Sequence, residues 1–336
     1  MPKKSEKRLL VEKYCSIDSY RKLTDSQLAH EIYDNNSNKF KDFENARTTV
    51  RLVRGHIGKD IYKRCDSTYY IPTTSQTPAK ILIIDIETAP IRAYVWGIWN
   101  QNIGTQMIDS DWFCLTWSAK WLFEDKIYSG KLTSKEAIKQ DDKRIIKGIW
   151  GLLNEADIVI AHNGKKFDIP KLNQKFLIYK LNPPLPYQLI DTLDHIRKQF
   201  KFTSNKLDYV NQVLNLTRKT EHEGFPLWEK CYKGDAKALN TMLEYNIGDV
   251  KILEETYLNI RAWIKPHPNL GLFILDELER CPTCGSDDLI EEGKDYHTTV
   301  NIFPSLRCKN CGASGRRRLS KLTVTEKRTV LVSLPK

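Results

Sequence analysis

No stretch of the 336-residue chain is apolar for long enough to cross a bilayer. The first residues, Met1-Pro2-Lys3-Lys4-Ser5, lack the apolar centre of a secretion signal, so a cytoplasmic location is expected. There is no internal repeat and no long low-complexity tract, which sets aside repeat arrays. A disulfide framework also fits poorly. Of eight cysteines, four (Cys15, Cys65, Cys114 and Cys231) are scattered, and the other four form two tight pairs. That split suits a reducing compartment with one metal site. Acids are in deficit: 42 Asp and Glu against 53 Lys and Arg leave a formal charge of +11. A basic chain favours an anionic partner, most simply nucleic acid, although many basic proteins bind none.

Three segments differ in composition and are expected to be domains. Residues 1–75 look helical and end in the linker-like Pro72-Thr73-Thr74-Ser75-Gln76-Thr77-Pro78. Residues 79–266 alternate strands and helices, the pattern of an α/β layer fold. Strands are expected at 80–87, near 113–119 and at 157–162, with shorter ones near 126–129 and 188–191. Helices are expected near 135–155, 169–180, 205–214 and 234–263. Residues 270–336 carry the cysteine pairs and a β-rich alternation.

The chemistry concentrates in the middle segment. In Ile81-Leu82-Ile83-Ile84-Asp85-Ile86-Glu87-Thr88, two acids end a run that reads as a core strand. Strand alternation points Asp85 and Glu87 the same way, where they repel each other and resist desolvation. A divalent cation is the usual remedy. A second acid, Asp168, lies in His162-Asn163-Gly164-Lys165-Lys166-Phe167-Asp168-Ile169-Pro170, at a strand-to-helix connection. There it serves either the sheet's end or simply as a helix cap. Tyr245 and Asp249, four apart in the last long helix, share one face.

Asp-x-Glu, then Asn-x-x-x-Phe-Asp, then Tyr-x-x-x-Asp resembles the DEDD exonuclease superfamily in its tyrosine-bearing (DEDDy) branch, nearest to the proofreading exonuclease domain of family B DNA polymerases. The resemblance covers roughly 80–264 and implies an RNase H-like fold with 3′→5′ exonuclease activity. It implies that Asp85, Glu87, Asp168 and Asp249 hold two Mg²⁺ or Mn²⁺ ions, and hard oxygen ligands without a histidine cluster agree with that choice. Asp85 would bridge both ions, Glu87 and Asp249 would hold the one that carries the nucleophilic water, and Asp168 would help place the second. Tyr245 would orient the water, and nucleoside 5′-monophosphates would be released. Asn163 and Phe167 match the second motif near the substrate end, with a turn-forming role open for Asn163. Lys206 is a candidate phosphate contact or a solvated lysine, and Asp191 reads best as a helix cap. Trp112, Trp117 and Trp121 are spaced like core packing. A phage or bacterial cytoplasm suits such an architecture.

Cys281-Pro282-Thr283-Cys284-Gly285 and Cys308-Lys309-Asn310-Cys311-Gly312 are CxxC knuckles separated by 23 residues. Four thiolates make a closed tetrahedral zinc site, as in a zinc ribbon, with redox cysteines as the lesser alternative. Arg316, Arg317 and Arg318 follow and are candidates to grip phosphate. In the first segment, Thr24-Asp25-Ser26-Gln27 has the form of a capping box. A helix from Phe43 to Arg54, with Gly55 at its C′ position, carries Arg47, Arg51 and Arg54 along one stripe. With that stripe as a basic outer face, the segment looks like a helix-turn-helix module that grips phosphates, the alternative being solvated arginines on a packed helix.

The leading expectation is a metal-dependent 3′→5′ exonuclease acting on nucleic acid, DNA before RNA, with two Mg²⁺ or Mn²⁺ and one structural Zn²⁺. The alternatives are a non-catalytic nucleic-acid-binding protein on the same fold, and an RNase H-like endonuclease or resolvase.

Overall fold

In the computed structural model, residues 6–21, 23–54, 78–218, 223–274 and 276–334 are described. Gly55, Cys65 and residues 72–77 of the expected linker lie outside these. The chain divides into two compact units, residues 73–268 and a second made of 1–72 together with 269–336. The two flanking segments, read from the sequence as separate, therefore belong to one unit.

The flanking unit begins with α1 (Glu6–Cys15), α2 (Asp18–Arg21), α3 (Asp25–Asn36) and α4 (Phe43–Val53). The capping box forms as expected: Gln27 N–H donates to Thr24 Oγ1 at 3.2 Å, and Thr24 N–H donates to Gln27 Oε1 at 3.0 Å. Val11, Leu28, Ala29, Ile32, Phe40, Ala46 and Val50 close the helices around one small core. The arginine stripe of α4 is not an outer face. Arg47 and Arg51 are only 3% and 9% exposed. Arg47 pairs with Glu44 at 3.1 Å and with Glu279 at 3.7 Å. Arg54 donates to the carbonyls of Leu23 and Tyr20 and to Asp25. Arg47 and Arg54 answer acids and carbonyls of the same unit and Arg51 is buried, which removes the outward geometry on which phosphate gripping by this stripe was expected.

The middle unit carries β1 (Ile81–Thr88), β2 (Arg92–Ala93), β3 (Ile108–Ser110), β4 (Cys114–Trp121), β5 (Ile127–Lys131), α5 (Ser134–Lys139), α6 (Lys143–Glu155), β6 (Ile158–Ala161), α7 (Asp168–Ile178), β7 (Gln188–Asp191), α8 (Thr192–Gln199), α9 (Leu207–Val213), α10 (Phe225–Tyr232) and α11 (Ala236–Ile260). Five strands form a mixed sheet in the order β5-β4-β1-β6-β7, with β2 and β3 as a separate ribbon. β1 is central, antiparallel to β4 and parallel to β6. Ile84 and Ile86 face α6, whose Ile145 carbonyl accepts the Trp117 indole N–H at 2.7 Å. Asp85 and Glu87 alternate to the opposite face, under α11. Trp112 and Trp117 are buried and Trp121 packs on the core, in line with their spacing.

The single helix expected near 135–155 is two helices. Gln140 takes a left-handed conformation after α5. Asp142 is fully buried at the break, accepting from Cys114 N–H at 2.8 Å and the Tyr179 hydroxyl, and pairing with Lys175 at 2.9 Å. A buried carboxylate with those partners requires the interruption. Among the described residues no helix is long and apolar enough to cross a membrane.

The flanking unit resumes with β8 (Leu289–His297), β9 (Ile302–Cys308) and β10 (Ser314–Arg316), an antiparallel sheet in the order β10-β9-β8, and ends with α12 (Val324–Thr329). Both cysteine knuckles turn on a glycine with positive φ, Gly285 at 77° and Gly312 at 76°. Each donates its N–H back to the first cysteine's carbonyl at 2.9 Å.

Candidate active site

Strand β1 delivers Asp85 and Glu87 at its C-terminal end, and α11 crosses above with Asp249 one turn after Tyr245. The three carboxylates converge so that one oxygen from each lies within 4.8 Å of the others. They line a cleft of about 680 Å³ that also includes Tyr245, Asp168, Asn163, Phe167 and Lys206. The sequence-expected acids, the tyrosine and the second-motif residues thus share one cavity. The arginines 47, 51, 54, 316, 317 and 318 belong to the other unit.

Asp168 approaches from the start of α7. It is the first helical residue, and Phe167 holds the cap position without a side-chain bond. Its carboxylate accepts the Ile86 N–H of β1 at 3.1 Å. It is 2% exposed, and burial pushes its pKa up to about 7 against the opposing pull of that N–H. The loop leading to it is tightly built. Asn163 sits at φ 70°, and a Cβ on Gly164 would lie 2.3 Å from that of Ala161, so only glycine passes there. Asp191 caps α8 and also accepts the N–H groups of Asn163 and Lys165 at 3.0 Å each. It is a cap, as the sequence suggests, and a clamp on the loop as well.

Two participants were not singled out from the sequence. Asn246 is fully buried on α11 and donates its amide to Asp85 at 2.5 Å. It lies three residues before Asp249, a spacing that puts both on one helix face and could have revealed it. Arg197, exposed in the last turn of α8, lines the cleft together with Lys206. His162 lines the cleft between Thr192 Oγ1 at 3.0 Å and the Asn205 carbonyl at 3.1 Å. Burial lowers the pKa of His195.

The donor set suits hard divalent cations: three facing carboxylates, a fourth at the cleft wall, and no sulfur or imidazole in the cluster. Buried polar atoms surround it. Thr116 and Ser118 stand opposite Glu87 and Asp85 in the β1–β4 register, and their hydroxyls, like Asn246 Oδ1, have no hydrogen-bond partner among the described residues. In the flanking unit, Cys281 Sγ is 3.6 Å from Cys311 Sγ and Cys284 Sγ is 3.5 Å from Cys308 Sγ, with all four buried. These spacings exceed a disulfide bond and approach the ~3.8 Å edge of a tetrahedron with 2.3 Å zinc–sulfur arms. The cluster is compatible with a zinc ribbon.

The model of the RNase H superfamily matches residues 124–260. The match contains Asp168, Tyr245 and Asp249 and begins after β1. The five-stranded mixed sheet with helices on both faces is accordingly an RNase H-like fold, and the match supports nuclease-type chemistry. Among solved structures, the family B DNA polymerase of the hyperthermophilic archaeon Pyrobaculum calidifontis is similar at 15% identity over 55% of this chain, with a TM-score of 0.39. The similar region spans 25% of that polymerase. No curated protein matches.

Proposed function

We propose that the chain is a metal-dependent 3′→5′ exonuclease that hydrolyses phosphodiester bonds of nucleic acid, DNA before RNA, and releases nucleoside 5′-monophosphates. The observation that carries this reading is the convergence of Asp85, Glu87 and Asp249 in one cleft with Asp168 and Tyr245. Those four acids would hold two Mg²⁺ or Mn²⁺ ions, which, when bound, supply Lewis acidity at the attacking water and at the leaving oxygen. Tyr245, whose ring meets that of Trp228 edge-on at 6.3 Å, would orient the attacking water. Asn246 holds one oxygen of Asp85, which lines the cleft. Arg197 and Lys206 attract the phosphates, and Asn163 and Phe167 receive the terminal nucleotide. Cys281, Cys284, Cys308 and Cys311 hold one structural zinc. In the other unit, Arg316 and Arg318 are exposed and are candidates to grip phosphate, whereas Arg317 is paired with Glu279 and Glu291.

The test is a panel of end-labelled single-stranded and duplex DNA and RNA, with Mg²⁺ or Mn²⁺ added. Mononucleotides leaving from the 3′ end are expected. Asp85→Ala should lower that rate about a thousandfold or more, because several kcal/mol of charge stabilisation depend on the ions it helps to hold. Binding without cleavage would overturn the enzyme reading in favour of a binding protein, and cuts within circular DNA would favour an endonuclease.

A further inference from the structure

Glu87 is followed within two residues by a segment unlike the rest of the protein. Residues 89–107 contain one fully charged side chain, Arg92, in a chain that is 28% charged. Instead they hold aromatics, aliphatics and amides, and most of those from Ile91 to Gln106 face solvent. Trp96 is 97% exposed and Trp99 83%, with Tyr94 and Ile98 also exposed. Two tryptophans placed outward on one short loop are a liability unless something flat and apolar covers them.

The loop is anchored beside the candidate active site. Its ends are joined by the β2–β3 pairing and by the Tyr94 N–H, which donates to the Met107 carbonyl at 2.9 Å. At its base, the Arg92 guanidinium lies 5.0 Å from the centre of the Tyr232 ring on α10. One turn earlier on the same helix, Trp228 packs against Tyr245. A chain of contacts thus runs from the site tyrosine through α10 to the loop. From the other side, β1 runs from Asp85 and Glu87 directly into it.

We infer that residues 94–103 form a stacking platform for the unpaired bases of single-stranded DNA whose 3′ end enters the cleft. Every base offers a π-face, so aromatic side chains hold a strand without reading its sequence. The absence of acidic groups from the loop suits a polyanion, and Asn100, Gln101 and Asn102 place amides beside the rings. The inference rests on the exonuclease reading for the direction in which the strand runs.

The experiment compares wild type with the Trp96→Ala/Trp99→Ala double variant by fluorescence anisotropy, without added divalent ions. The probes are a single-stranded DNA oligonucleotide, an abasic oligonucleotide of equal length, and RNA of the same sequence. The variant should bind the base-bearing DNA about tenfold or more weakly, bind abasic DNA like wild type, and keep its melting temperature. Trp96→Phe/Trp99→Phe should restore most of the affinity. Equal losses on both DNA probes, no loss on either, tighter tryptophan-dependent binding of RNA, or a change of oligomeric state in the variant would each overturn the platform. If wild type cleaves and the variant binds and cleaves equally well, the platform alone fails. If wild type binds through the tryptophans without cleaving, the exonuclease reading alone fails.

Discussion

Asn246 shows how one neutral side chain can govern a cluster of charges. Asp85 and Glu87 repel each other, and the buried amide of Asn246 holds one Asp85 oxygen in place. Residues that orient metal-binding carboxylates typically affect metal affinity or activity by about 10–100-fold. Asn246→Ala should therefore slow hydrolysis by about that factor and raise the Mg²⁺ or Mn²⁺ concentration needed for half-maximal rate. A purely structural role would lower the melting temperature and leave the metal requirement unmoved, so both are measured. At this scale the sequence was legible where residue types repeat a pattern: the alternation of β1 set Asp85 and Glu87 together, and helical spacing joined Tyr245 to Asp249. Trp96 and Trp99 were not legible, because exposure is decided by what the rest of the fold leaves uncovered.

Elements carry the next level of control, through their ends. Helix α5 begins with a capping box in which Glu136 accepts the Thr133 N–H at 2.8 Å, and the same carboxylate pairs with Arg144 at 2.7 Å. The Arg144 bond, aided by Thr133, holds the Glu136 pKa down to about 2 from an ordinary 4.5. A carboxylate depressed on folding stabilises the native state fully above its unfolded pKa and loses that contribution as pH falls through the folded one. Glu136→Gln keeps an acceptor for the cap and removes the charge. It should cost about 0.5–1 kcal/mol at neutral pH, as for a well-ordered surface ion pair. That difference should close between about pH 4.5 and about pH 2 in denaturant titrations; a gap unchanged at pH 2 would refute the assignment. Element boundaries were less legible than element types for a related reason. The apolar period of 135–155 reads as continuous, and only the partners of Asp142 from β4 and α7 reveal the break. The arginine stripe of α4 was likewise visible, but a helical period does not say which stripe faces inward. Glu279, which meets Arg47, lies far along the chain.

At the scale of the whole molecule, the acids and the cysteines fall in different units, so loss of one metal class should not remove the other. Among the described residues, the flanking unit packs a small apolar helix core and a few buried ribbon side chains such as Leu289 and Leu306 besides the four buried thiols, and small modules of this kind draw much of their folding free energy from the metal. Its halves are also joined by charge: Glu279 meets both Arg47 and Arg317. Unfolding the ribbon would strip a buried arginine of one of its two acids, which destabilises the helices that enclose it. Freshly purified, reduced protein should hold about one zinc per chain. Cys308→Ser should lose that zinc and speed amide exchange in β8, β9 and also α4, while the strands of the central sheet stay protected. Hydrolysis of a short oligonucleotide that occupies little beyond the cleft should persist. Exchange that rises in the ribbon but not in α4 would show that the ion pairs do not couple the two halves. Loss of protection throughout the central sheet would show instead that the zinc supports the whole molecule.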